Sequence, residues 1–142
     1  MAQALQLSRF VLQMFLSMLK SDLPTIQGNR RQLREVILNL VQNSIEAMTG
    51  VTGRRIISVV TSRHGANAVS ISVQDSGSGI APDKLTSIFD AFITTKAQGT
   101  GLGLAICKMI IDQHGGKLSA SSDTQYGGAR FEITLPTKIA EG

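Results

Sequence analysis

Residues 29–50 read NRRQLREVILNLVQNSIEAMTG, and this stretch decides the fold. Leu33, Val36, Ile37, Leu40, Val41, Ile45 and Met48 recur at three- and four-residue steps, so a helix here buries one face. Asn29 is placed as its N-cap, with Gln32 three residues later as in a capping box. The pattern runs to about Thr49, and Gly50 stops it. A second ridge on the same helix is polar. Asn39 and Asn43, four residues apart, stand one above the other, and Gln32, Glu35 and Glu46 project along their stripe. Two readings fit that ridge. One is the solvated face of an amphipathic helix. The other is a magnesium and phosphate site, because an amide oxygen is a hard ligand and magnesium takes few protein ligands beside substrate phosphates.

Downstream of this helix, residues 56–61 are β-branched and short. Val69, Ile71 and Val73 alternate with Ser70, Ser72 and Gln74, which predicts a strand with one wet face. The turn His64-Gly65-Ala66-Asn67 joins the two strands as a hairpin. A weakly periodic loop region covers 75–99. A second helix follows over about 101–114, with Leu102, Ala105, Ile106, Met109 and Ile110 marking its buried face and Gly115-Gly116 ending it. A last hairpin pairs 117–122 with 129–135, and Pro136 closes the domain. Upstream, Val11, Leu12, Phe15, Leu16, Met18 and Leu19 fit a helix as well as a buried strand. The simplest packing is α/β: two amphipathic helices on one face of a mostly antiparallel sheet.

The bulk numbers bound the function. A chain of 142 residues, 42% hydrophobic and 17% charged, is one globular domain with a real core. The single cysteine, Cys107, excludes an internal disulfide framework and reads as core beside the second helix's buried face. That agrees with a cytoplasmic location. The net charge of +4 is not concentrated in any Lys/Arg run, and tryptophan is absent, so nucleic acid is not an expected partner. The longest apolar stretch, 10–19, is interrupted by Gln13 and Ser17 and is too short to span a bilayer.

Two further motifs carry chemistry. Asp75-Ser76-Gly77-Ser78-Gly79-Ile80 follows directly on a strand. These are ordinary turn residues. They are also a carboxylate able to accept from an exocyclic amine, with glycines that let a flat ring approach the backbone. Gly99-Thr100-Gly101-Leu102-Gly103-Leu104 opens the second helix. A flexible turn with an N-cap is one reading. The other is a phosphate cradle, built from backbone N–H groups at the positive end of the helix dipole. The spacing is neither a dinucleotide fingerprint nor a P-loop.

Taken in order, these motifs resemble the GHKL superfamily of ATPases, and within it the sensor histidine kinases. Residues 38–48 resemble the N box, 75–80 the G1 box, 88–96 the F box and 99–106 the G2 box. His114-Gly115-Gly116 and Gly127-Gly128-Ala129-Arg130-Phe131 resemble the closing hairpin. Glu46-Ala47-Met48 and Thr94-Thr95-Lys96 are most similar to the nitrogen- and oxygen-regulatory kinases. The resemblance covers roughly 22–136. It implies a Bergerat-type two-layer sandwich: residues 1–20 the remnant of a dimerisation helix and first strand, 21–138 the ATP-binding catalytic domain, 139–142 a tail. The first strand is expected at 15–20.

The resemblance also implies roles. Asn39 and Asn43 are the candidate catalytic positions, Asn43 holding Mg2+ and Asn39 near the triphosphate of ATP. Asp75 would take the adenine amine. Gly77 and Gly79 would shape the adenine pocket, with Ile80 a further nucleotide-binding position. Gly101, Leu102, Gly103 and Leu104 would offer N–H groups to phosphates, with Gly99 at the start of the same turn. Lys96 is either a phosphate contact or a solvated lysine, and Phe89 and Phe92 either core or lid anchors. The reaction would pass the γ-phosphoryl group to a histidine on a dimerisation domain absent from this chain, and a response regulator would be an indirect partner. The chain alone is expected to be monomeric. Three departures stand out. Glu46 occupies a position where many relatives carry a basic residue. Only Ala97 and Gln98 separate Lys96 from Gly99. Neither histidine, His64 in a turn nor His114 before Gly115, has the setting of a phospho-acceptor, and both read as surface or structural. Two alternatives follow. One is a nucleotide-binding regulatory module without transfer activity. The other is a different GHKL ATPase, against which Asn39 counts because those use a carboxylate base there.

Overall fold

A computed structural model of the chain describes residues 14–15, 26–50, 53, 55–90, 103–122 and 126–137. The described elements run β1 (Met14–Phe15), α1 (Arg30–Ala47), β2 (Ile57–Arg63), β3 (Ala68–Asp75), two 3-10 turns (Pro82–Lys84 and Ser87–Phe89), α2 (Gly103–Gln113), β4 (Lys117–Ser121) and β5 (Arg130–Pro136). The strands form one sheet in the order β1-β2-β3-β5-β4. Among the described strands, β1 pairs parallel with β2, and the other pairings are antiparallel. The α/β fold with a mixed, mostly antiparallel sheet is therefore as expected. Met14 and Phe15 are the described part of the first strand, and of the predicted 15–20 only Phe15 lies among the described residues. Residues 1–13 and 139–142, and their assignments as remnant and tail, lie outside the described residues.

Register explains the core. Ile57, Val59 and Thr61 stand opposite Asp75, Val73 and Ile71. Ile71 and Val73 in turn stand opposite Ile133 and Phe131, and those opposite Leu118 and Ala120. This inward face meets Val36, Leu40 and Met48 of α1 and Cys107, Ile110 and Ile111 of α2 in one cluster. Phe89 joins it edge-to-face on Phe131, with ring centroids 6.4 Å apart, so Phe89 is core. Phe92 lies outside the described residues.

Three expectations need correction. First, the serine face of β3 is not wet: Ser70 and Ser72 are buried. Ser72 lies between the longer side chains of Val60 and Glu132 on the neighbouring strands, and Ser70 lies opposite Thr134 and opposite Ser62, whose hydroxyl is 3.3 Å from its own. Second, the buried stripe of α2 is Cys107, Ile110 and Ile111, with Leu104 partly buried. Ile106 and Met109, predicted inside, are 36% and 51% exposed. The sequence GLAICKMIIDQ is apolar on several sides, and only the side carrying Cys107 is covered by α1, where its Sγ approaches the Val36 carbonyl oxygen at 3.8 Å. Third, the capping box is half made. Asn29 Oδ1 accepts from the Gln32 N–H at 3.0 Å, but the Asn29 N–H donates to His114 Nε2 at 3.0 Å. His114 Nδ1 donates in turn to the Ile110 carbonyl oxygen at 2.7 Å. His114 thus ties the start of α1 to the end of α2, which makes it structural. His64, in the β2–β3 turn, donates its N–H to the Ala68 carbonyl oxygen at 2.9 Å.

Candidate active site

The parity that buries Val69 and Val73 also turns Asp75, the last residue of β3, inward. Its side chain is fully buried. Oδ1 accepts from the Gly77 N–H at 2.8 Å and from the Ala129 N–H at 3.1 Å. Oδ2 has no partner. Burial pushes the carboxyl above its ordinary 3.8, and Gly77, Ala129 and the Ser44 hydroxyl pull it back down. Ser44 is near enough to exert that pull, yet no hydrogen bond of ordinary geometry reaches either its Oγ or Asp75 Oδ2. A buried carboxylate with one oxygen held by backbone and the other unclaimed suits a donor on a ligand.

The backbone around Asp75 leaves no room for side chains. A Cβ on Gly128 would collide with the main-chain oxygen and Oδ1 of Asp75. A Cβ on Gly77 would sit 2.7 Å from the Ala47 oxygen at the end of α1. Gly79 turns the chain at φ +77°. Ile80 is then fixed to β4's end: its N–H donates to Ser122 Oγ at 3.1 Å, and that hydroxyl donates to the Ile80 carbonyl oxygen. Ser76 anchors the other side, its Oγ accepting from the Ile56 N–H at 2.8 Å.

The two helices run antiparallel: Asn29 meets His114, Val36 meets Cys107, and a Cβ on Gly103 would lie 3.9 Å from Asn39 Oδ1. That arrangement sets the N-terminus of α2, with no acidic residue in its first turn, beside the middle of α1. Asn39 and Asn43 are both half-buried there, while Glu35 and Glu46 are exposed. Gly103 and Leu104 occupy the first two positions of α2. Among the sequence-predicted residues, Asp75, Gly77, Gly79 and Ile80 therefore form one turn, and Asn39, Gly103 and Leu104 meet at the helix pair, with Asn43 one turn further along α1. Lys96, Gly99, Gly101 and Leu102 lie outside the described residues. Sequence reasoning missed Ser44 and the contact of Gly128 and Ala129 with Asp75. Ser44 continues the four-residue step Val36–Leu40–Ser44–Met48 of buried positions, and that step was its signal.

Residues 28–139 match the family described as histidine kinase-, DNA gyrase B- and HSP90-like ATPase. The chain belongs to that family. It is 50% identical over 117 residues, 82% of its length, to the sensor histidine kinase ZraS of Escherichia coli O157:H7. The chain spans only 24% of that relative's length. Its fold is similar to the catalytic domain of the histidine kinase ThkA, with TM-score 0.79, 32% identity and coverage of 97% of this chain and 89% of that one. It is also similar to full-length ShkA in complex with AMPPNP, with TM-score 0.77, 29% identity and coverage of 98% of this chain and 29% of that one. The Bergerat-type fold and the resemblance to histidine kinases are thereby borne out, and the family's nucleotide is ATP. Among the described residues, no helix is long and apolar enough to cross a membrane, and no cluster of three His, Cys, Asp or Glu could hold a metal.

Proposed function

We propose that this chain is the ATP-binding catalytic domain of a two-component sensor histidine kinase, donating the γ-phosphoryl group of ATP to a histidine on a separate domain. The observation that carries this reading is Asp75, fully buried at a strand end with Oδ1 held by backbone and Oδ2 unclaimed. An exocyclic amine on adenine is the donor that matches Oδ2. Asn39 lies beside the α2 N-terminus, so the triphosphate would lie on that side, where the N–H groups of Gly103 and Leu104 would receive it. Lys96, Gly99, Gly101 and Leu102 are assigned to the same end by their place in the sequence. Asn43, half-buried one turn along α1 from Asn39, would hold a magnesium ion together with phosphate oxygens. When bound, that ion would neutralise phosphate charge. Phosphoryl transfer is mainly positioning and charge stabilisation, so no nucleophile is needed in this chain. A response regulator is the indirect partner, receiving the phosphoryl group from the acceptor histidine. The exposed Ile106 and Met109 offer an apolar face for the histidine-bearing domain, and the chain leaves room for such a domain, since it spans only 24% of its relative's length.

The test is to add labelled ATP and the parent kinase's histidine-bearing domain. Acid-labile, base-stable label on that domain is expected, with slow ATP turnover by the chain alone. Bound ATP without transfer would favour a regulatory nucleotide-binding module, the reading that Glu46 supports. Fast hydrolysis by the chain alone would favour a water-activating ATPase of the same family.

A further inference from the structure

Two buried side-chain oxygens among the described residues have no hydrogen-bond partner, and they belong to neighbouring residues: Ser44 Oγ and Asp75 Oδ2. A serine inside a helix ordinarily bonds back to the carbonyl a turn earlier. Ser44 does not, and it is fully buried on the α1 stripe that faces the sheet. An unclaimed hydroxyl beside an unclaimed carboxylate oxygen costs free energy in both groups until something joins them. A turn of the Ser44 side chain about its Cα–Cβ bond, which moves the hydroxyl oxygen as well as its hydrogen, lets it donate to the carboxylate while keeping its lone pairs available.

We propose that Ser44 is a positioning residue of the base site, its hydroxyl aligning Oδ2 of Asp75 to accept the amine of an adenine-like ligand. This rests on the reading of Asp75 as the base acceptor. With Oδ1 fixed by Gly77 and Ala129, the carboxylate plane is set, and a donor on Oδ2 would fix its remaining lone pair toward the ligand. Among the described residues, the groups facing Asp75 are Ser44 from α1, the Gly77 N–H from its own turn, Gly128 and Ala129 from the segment before β5, and Ile57 opposite on β2. None is charged, so the hydroxyl is the one side-chain group among them that favours the ionised carboxylate. Burial opposes ionisation, and Ser44 acts against burial. Losing Ser44 therefore moves carboxylate protonation to higher pH, and with it the pH below which ligand affinity falls.

The experiment is calorimetric titration with ATP from mildly acidic to neutral pH, using wild type, Ser44→Ala and Ser44→Cys, with thermal unfolding to verify folding. Ser44→Ala is expected to weaken ATP about three- to tenfold at neutral pH, the scale of one lost hydrogen bond. Its affinity should also begin to fall at a higher pH than in wild type. Ser44→Cys, which keeps the volume with a far weaker donor, is expected to behave like Ser44→Ala. A wild-type profile in Ser44→Ala, or full restoration by Ser44→Cys, would overturn the proposal in favour of no role or a packing role. Absence of ATP binding in wild type would instead overturn the base-acceptor reading and this proposal with it.

Discussion

Asp75 sits in a place that opposes its charge. Burial lifts its pKa above the unfolded value, so between those two values the native state holds a proton that the unfolded chain has released. Stability from this group is greatest below the unfolded value and declines as pH rises through the folded one. Asp75→Asn removes the ionisation, so without nucleotide its melting temperature at neutral pH should equal or exceed that of wild type. A clear drop in thermal unfolding would contradict this account of the residue. Gly128 is the complementary case. A methyl there meets Asp75's own oxygens, which are fixed by the strand and cannot swing aside. Gly128→Ala is expected to destabilise the fold by about 1–3 kcal/mol, the scale of overpacking, and to weaken ATP binding with it. Urea unfolding beside calorimetry measures both.

Among the elements, α2 is the most instructive. Its apolar residues surround most of its circumference, so periodicity offered several faces, and the one read from sequence was about one residue out of phase with the one α1 covers. Burial of Ile111 and exposure of Met109 make opposite forecasts. Ile111→Ala should cost about 2–5 kcal/mol, as for a large core side chain. The pair Ile106→Ser and Met109→Ser should change stability by no more than about 0.5 kcal/mol each. Equal losses at both faces in denaturant unfolding would mean that α2 is rotated from the orientation described. The α1 pattern was easier to read. Polar residues interrupt its apolar stripe at regular steps, and Asn29 and Gly50 bound it. Even there, Ser44 escaped, because a serine on a buried stripe looks like a gap in the pattern unless its step from Leu40 is followed. The serines of β3 misled for a related reason: alternation predicts which way a side chain points, and cover depends on what the neighbouring strands place beside it.

For the whole molecule, the order of elements and the site turn were legible because glycines and polar residues punctuate them at fixed spacing. Asp75 to Ile80 forms one turn as expected, and Asn39 meets Gly103. What sequence did not yield was the convergence of distant segments on Asp75. Gly128 and Ala129 reach it across the β3–β5 pairing, and Ser44 reaches it from α1, contacts that depend on register and helix placement. The antiparallel helix pair, clamped at one end by His114, brings the amide ridge and the α2 N-terminus together. The central claim is that this assembly binds ATP with its base on Asp75. Calorimetric titration of ATP, with and without magnesium, into wild type and Asp75→Asn tests it most directly. Micromolar-range binding in wild type, strengthened by magnesium and weakened at least about tenfold in the variant as for a lost charge-assisted hydrogen bond, is the predicted result. Equal affinity in the two proteins, or none in wild type, would contradict it.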